Sequence, residues 1–108
     1  MKKLTLKDLS PKSGHIFEDF LPGEKLYEGG LSFSKPNEIS HMDDCENGIH
    51  THSDCELFLI VQGRAVIDVD GEKTTVKTGD IILVEPDEDH HVISDGEDPA
   101  IVLWCHAR

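Results

Sequence analysis

Residues 50–63, which read HTHSDCELFLIVQG, decide the fold. The first half carries two histidines separated by one residue, and Glu56 follows four positions after the second. The second half is an apolar run that ends at Gly63, which is typical of a buried β-strand closed by a turn. Side chains two positions apart on a strand project from the same face. His50 and His52 can therefore present two imidazoles to one ion, and Glu56 has the same parity.

The residues on either side of this stretch read as further short strands. Turn signals, including the Asp70-Gly71 pair and Gly79, recur every eight to ten residues. Helical periodicity is almost absent, so the sequence predicts an all-β sandwich or barrel. Upstream, Gly29-Gly30 interrupts a strand-like segment and suggests a bulge or a sharp bend. The predicted strands are 15–21, 25–35, 56–62, 64–70, 72–78, 81–85, 91–94 and 100–105.

Length and composition indicate one folded domain with an acidic surface. The chain has 108 residues, and its 22 acidic and 10 basic residues give a formal net charge of −12. Such a charge disfavours nucleic acid and anionic membranes as partners. The three cysteines are odd in number and lack a C-x-x-C pairing, which fits a reducing cytoplasm. We find no signal peptide and no segment long enough to span a bilayer.

Two histidines and a glutamate on one face form a donor set that suits a transition metal. Imidazole nitrogens bind Zn, Cu, Fe and Ni, and a carboxylate completes the set found at non-haem iron centres. An isolated H-x-H pair is more often a pair of surface or hydrogen-bonded core histidines. His15, His41 and His106 are expected at the surface, and Phe58 and Ile60 are expected inside the barrel beside Glu56.

The wider pattern resembles the cupin superfamily, specifically its small single-domain, conserved-barrel members. The first cupin motif has the form H-x-H, three or four residues, E, six residues, G. In this chain His50, His52, Glu56 and Gly63 stand at those intervals, while Asp44 stands where a glycine is usual.

The second cupin motif is matched in part. Its form is G, five residues, P-x-G-x-x-H, three residues, N. Gly79 is followed by Pro86 one residue late, and Glu88 stands where the second glycine is expected. Counted from Pro86, His91 stands at the histidine position and Asp95 at the asparagine position.

The resemblance implies a double-stranded β-helix, or jelly roll, with a metal site inside the barrel. Residues 1–35 would form an N-terminal arm and the first strands of the same domain, and residues 36–108 the cupin barrel core. One divalent metal ion (Fe, Mn, Zn or Ni) would be bound, with one or two positions open for water or substrate. Its ligands would be His50, His52, Glu56 and His91.

His90 competes with His91 for the last ligand position. Neighbouring residues on a regular strand point to opposite faces, so only one of the two can reach the site. A regular register leaves His90 as an exposed histidine at the start of a strand. If the extra residue before Pro86 shifts the register, His90 is the ligand instead.

Two classes of function fit this reading. The first is a metal-dependent enzyme of the dioxygenase, decarboxylase, lyase or isomerase type, in which Glu56, if it dissociates from the metal, could act as a catalytic base. The second is a non-catalytic module that binds or senses a sugar or another small molecule. Acidic residues at 43–46 and 85–89 favour a small neutral or weakly charged ligand over a polyanion. The resemblance also implies a homodimer that forms through sheet faces or through exchange of an N-terminal strand.

Overall fold

The computed structural model describes residues 1–5, 26–40 and 51–107, and every regular element among them is a β-strand. Within these three ranges there is no helix long and apolar enough to cross a membrane. The strands are β1 (Lys2–Thr5), β2 (Leu26–Phe33), β3 (Cys55–Gln62), β4 (Arg64–Val69), β5 (Glu72–Lys77), β6 (Asp80–Val84), β7 (His90–Ser94) and β8 (Ile101–Ala107).

The strands form two antiparallel sheets. The larger sheet has the order β1-β6-β3-β8-β2 and the smaller one the order β5-β4-β7. Strands that are distant in the sequence, such as β3 and β8, are neighbours in the larger sheet. Two packed antiparallel sheets with such crossovers are the architecture of a jelly roll, and the predicted all-β fold class is confirmed.

Side-chain alternation explains how the two sheets pack. In β4, Ala65, Ile67 and Val69 are buried, and the residues between them are more exposed. In β6 every residue is buried, and the strand pairs with β1 along one edge and with β3 along the other. Together the inner faces contribute a core of Phe58, Ile60, Ala65, Ile67, Val69, Val76, Ile82, Val84, Val92, Ala100 and Val102.

The hairpin between β4 and β5 forms where the Asp-Gly pair predicts it. Asp70 and Gly71 have φ values of 50° and 87°, and positive φ at both central residues defines a type I′ turn. This turn matches the right-handed twist of the flanking strands, so it fixes the register of the whole β4–β5 pair.

The predicted bulge at Gly29-Gly30 is wrong in its position. Both glycines pair regularly with Cys105 and Trp104 of β8, and the register shift lies between Leu26 and Glu28. Gly30 is needed for space, because a Cβ atom there would lie 2.9 Å from Cζ2 of Trp104. The predicted strand at 15–21 lies outside the described residues.

Candidate metal centre

Glu56 is the buried acid around which the candidate site is built. It lies on β3, which is flanked by β6 and β8, and its side chain points into the space between the sheets. The residue is 3% exposed. Burying a carboxylate costs folding free energy unless hydrogen-bond donors surround it. The groups that contact Glu56 therefore define the chemistry of the site.

Two histidines contact the same oxygen of Glu56. Nε2 of His90 lies 3.0 Å from Oε1, and Nε2 of His52 lies 3.2 Å from that atom. His52 lies three positions before the first residue of β3, whereas His90 begins β7 in the opposite sheet. Their rings meet edge to face, with centroids 4.8 Å apart. The site therefore joins the two sheets, and each of these three residues offers a ligand atom within 4.8 Å of the others.

Backbone carbonyls orient both imidazole rings. Nδ1 of His52 lies 2.9 Å from the carbonyl oxygen of Asp54, and Nδ1 of His90 lies 2.8 Å from that of Glu88. A carbonyl oxygen can only accept a hydrogen bond, so each Nδ1 carries a proton and donates it. Each Nε2 is then the nitrogen that can bind a metal, and this is the usual arrangement of metal-ligating histidines.

Electrostatics couple the acid to the histidines. Burial by itself raises the pKa of Glu56, but the hydrogen bond from His90 and the charges of His106 and His90 outweigh it and hold that pKa below its usual value. Burial lowers the pKa of His90, and its contacts with Glu56 and Glu88 reverse this effect and raise the pKa. The contact between Glu56 and His90 thus lowers the pKa of the acid and raises the pKa of the histidine, and metal binding would release the proton held on Nε2 of His90.

The structure does not bring His91 to this cluster. Its Nδ1 lies 3.0 Å from the carbonyl oxygen of Ser40 and its Nε2 lies 3.1 Å from Oδ1 of Asp89. Adjacent residues on β7 point to opposite faces, so the inward position of His90 excludes His91 from the same site. His90 is also not an exposed strand-start residue, since it is only 1% exposed.

The position of His90 follows from counting the second motif from Gly79. Five residues separate that glycine from Glu85, which stands at the proline position, so Asp87 falls at the glycine position and His90 at the histidine position. Asp87 has a φ of 66°, which is the left-handed conformation that a turn glycine normally supplies. Aspartate tolerates this region better than most residues, so the turn survives without the glycine.

The structure describes two of the other three predicted ligands. His52 and Glu56 lie together as the spacing predicts, while His50 lies outside the described residues. Their roles as metal ligands remain predictions.

Two residues that the sequence motifs do not include, His106 and Asp54, also belong to this region. His106, expected at the surface, is half-buried, with Nε2 3.1 Å from Oε2 of Glu56 and Nδ1 3.0 Å from Oδ1 of Asp54. In the β3–β8 register His106 is the direct partner of Glu56. That pairing brings together residues near the two ends of the range 51–107, and no local sequence pattern predicts it.

A cavity of about 570 Å³ opens beside the cluster, a size typical of small-molecule sites. His52, Glu56 and His106 form part of its wall. No lysine or arginine lines it among the described residues, and residues 41–50 contain neither. The apolar wall consists of Phe33, Phe58, Val92, Val102 and Trp104, and the remaining lining residues are Ser32, Ser34, Glu38, Ser40 and Asp54.

The residues present fit a divalent metal. Two imidazole nitrogens and one carboxylate oxygen within 4.8 Å of one another match the mixed N/O sets that bind Fe, Mn, Zn or Ni. The described residues contain no buried side-chain nitrogen or oxygen without a partner.

Comparison with known proteins places this site in a family context. Residues 42–106 match the family model of the cupin domain. An uncharacterized protein of Methanocaldococcus jannaschii is 34% identical over 53% of this chain and 46% of its own length. Gentisate 1,2 dioxygenase 1 of Aquipseudomonas alcaligenes is 33% identical over 67% of this chain and 19% of its own length. The chain thus aligns with less than half of either curated relative.

A solved structure shows the same fold. The plu4264 protein of Photorhabdus luminescens superposes with a TM-score of 0.63 at 27% identity, over 82% of this chain and 71% of that protein. The family match covers more than half of the sequence and includes Glu56 and His90. The chain, which folds as a jelly roll and brings its motif residues His52, Glu56 and His90 together, belongs to the cupin family.

Proposed function

We propose that this protein is a metal-dependent cupin enzyme that acts on a small neutral or weakly charged molecule. One observation carries the proposal: the metal-binding atoms of His52, Glu56 and His90 lie within 4.8 Å of one another, and His52 and Glu56 line a cavity large enough for a small molecule. A site that had only a structural role would have no need of such a cavity, whereas catalytic metal sites keep a side open to substrate.

The proposed ligands are His52, Glu56 and His90, with His50 as the fourth. His90 takes the place that counting from Pro86 gives to His91. The ion is one divalent metal, with Fe, Mn, Zn and Ni as candidates. When bound, it would supply Lewis-acid or oxygen-handling chemistry to a molecule in the cavity. The similarity to a protein named as a dioxygenase supports including oxygen chemistry among the candidate reactions.

The chain's own residues supply binding and proton handling. Trp104, Phe33 and Phe58 offer apolar surface, and three serine hydroxyls offer hydrogen bonds. Glu56 is the proposed catalytic base for the state in which it has dissociated from the metal, because its carboxylate lines the cavity. The acidic lining, with no lysine or arginine among the described residues, would repel a polyanion.

Binding of two matched probes to the chelator-treated, metal-free protein tests the proposed ligand class. We expect phenol to bind at least about tenfold more tightly than phenyl phosphate, a difference of about 1.4 kcal/mol, because the phosphate would approach Glu38 and Asp54 without a cation to pair with. Isothermal titration calorimetry measures both constants. Equal affinities, or tighter binding of phenyl phosphate, would contradict the proposed ligand class.

A non-catalytic small-molecule or sugar-binding module is the rival function. Ligand-induced thermal stabilisation without turnover, for the metal-loaded protein and a panel of sugars and phenols, would favour it. We propose a cytoplasmic location for either function, and the free thiols of Cys55 and Cys105 are consistent with a reducing compartment.

We also propose a homodimer that forms through the outer face of the larger sheet. Leu31 and Leu103 are cross-strand partners there and are 67% and 39% exposed. The Leu31→Glu/Leu103→Glu double variant is expected to be monomeric by sedimentation equilibrium, because two buried charges would oppose association. Ile39→Glu, which changes an exposed apolar residue elsewhere, is the matched control. A monomeric parent protein would refute the dimer.

A further inference from the structure

Asp54 and His106 form a second acid–histidine pair beside the candidate metal centre. Neither residue falls on a ligand position of the cupin motifs. Both line the cavity, and their side chains are only 10% and 14% exposed. His52, Asp54 and His106 also offer ligand-type atoms within 4.8 Å of one another. This second group shares His52 with the first, so the two groups form one continuous network.

The strand register brings His106 to Glu56. The two residues are direct partners on β8 and β3, so their side chains leave the sheet on the same face. Glu56 divides its contacts between its two oxygens. Oε1 faces His52 and His90, at 3.2 and 3.0 Å, and Oε2 faces Nε2 of His106 at 3.1 Å.

Asp54 fixes the His106 ring from its other side. Nδ1 of His106 lies 3.0 Å from Oδ1 of Asp54, so both ring nitrogens have a carboxylate oxygen within hydrogen-bond distance. Two neighbouring rings restrict it further. The centroid of His52 lies 4.7 Å away and that of Trp104 lies 5.6 Å away, both at steep interplanar angles.

We propose that His106, braced by Asp54, is a positioning residue that holds Oε2 of Glu56 and thereby turns Oε1 toward the metal. The inference rests on the proposed metal site. Hydrogen-bonded partners of ligating carboxylates and imidazoles orient them, and losing such a partner costs roughly 10–100-fold in metal affinity. His106 itself is not a ligand in this account, since it lies on neither cupin motif and contacts Oε2 of Glu56, whereas His52 and His90 both contact Oε1.

Metal affinity of the chelator-treated protein tests the proposal, with Co²⁺ as the probe. We expect His106→Ala to raise the Kd by about 10–100-fold. His106→Gln is expected to recover most of the loss, because its side-chain amide can donate to Oε2 of Glu56. Asp54→Asn should weaken binding in the same direction, because Oδ1 of Asp54 lies 3.0 Å from Nδ1 of His106 and 2.9 Å from Nδ1 of the proposed ligand His52.

A spectroscopic readout separates positioning from general stability. The visible absorption spectrum of the bound Co²⁺ should change in His106→Ala, because the carboxylate that it binds is no longer fixed, and should return toward the parent spectrum in His106→Gln. His91→Gln is the matched control. It alters another buried histidine that contacts one carbonyl and one carboxylate, but it lies outside the cluster.

The outcomes are distinct. An unchanged Kd and spectrum in His106→Ala overturn this inference while the metal site stands. Weaker binding that His106→Gln does not recover, or that His91→Gln reproduces, also overturns it, since the effect is then one of fold stability. If the parent protein binds no Co²⁺, the proposed function itself fails.

Discussion

His90→Ala is expected to abolish tight metal binding, whereas His91→Ala is expected to bind the metal as the parent protein does. His90 places Nε2 3.0 Å from Glu56, and the ring of His91 contacts Ser40 and Asp89 instead. Removing a ligand should cost more than the roughly 100-fold upper range for losing an outer partner. Competition with a chromophoric chelator gives the Kd of Zn²⁺ for each variant.

His90→Ala and His91→Ala serve as controls for each other. Both substitutions remove a buried imidazole from adjacent positions of β7, so their effects on folding should be similar. Thermal unfolding of the metal-free proteins verifies that similarity. Loss of binding in His91→Ala with retention in His90→Ala would show that the second motif is counted from Pro86, contrary to the structure.

Gly63→Ala is expected to destabilise the fold by more than about 4 kcal/mol, the range of severe single mutations. A Cβ atom at this position would clash with the carbonyl oxygen of Pro99, which is backbone and cannot move as a side chain can. The residue also has a φ of 82°, which disfavours alanine. The carbonyl of Gly63 accepts a hydrogen bond from the backbone N–H of Thr78, so a shift there would propagate into the β5–β6 turn.

Gly71→Ala provides the control for backbone conformation. Gly71 has a φ of 87° and nothing within 4 Å of a built Cβ, so alanine there meets only the cost of the left-handed conformation, about 1–2 kcal/mol. Urea unfolding of the two variants measures the difference. If Gly63→Ala is no less stable than Gly71→Ala, the close approach of the Pro99 carbonyl has no energetic consequence.

The fold was predictable because its signals are local. Alternating apolar residues and turn pairs such as Asp70-Gly71 act over a few positions, and the structure places strands close to where these signals predict them. Gly30 has a role that no local sequence pattern predicts. Its role is to leave room for Trp104, which is 74 positions away in the sequence and becomes its neighbour only through the β2–β8 register.

The contact between His52 and Glu56 was predictable from their spacing. The choice between His90 and His91 was not, because a turn decides it. His52 and Glu56 flank the start of one strand, so their convergence follows from the spacing. The choice between His90 and His91 depends on the turn before β7. There Asp87 adopts the conformation of the missing glycine, and a residue-type pattern does not register that substitution.

His106 illustrates a third limit. It reaches Glu56 through the pairing of β8 with β3, which brings together residues 50 positions apart. A histidine near the end of a strand carries no local signal of such a contact, and the expectation of a surface position was therefore reasonable but wrong.

The most direct test of the metal centre is anomalous diffraction at the zinc absorption edge from crystals grown with Zn²⁺. We predict a single strong peak inside the barrel, about 2.0–2.2 Å from Nε2 of His52, Nε2 of His90 and a carboxylate oxygen of Glu56. A peak bound by His91, or no peak between the two sheets in crystals of zinc-saturated protein, would contradict the account.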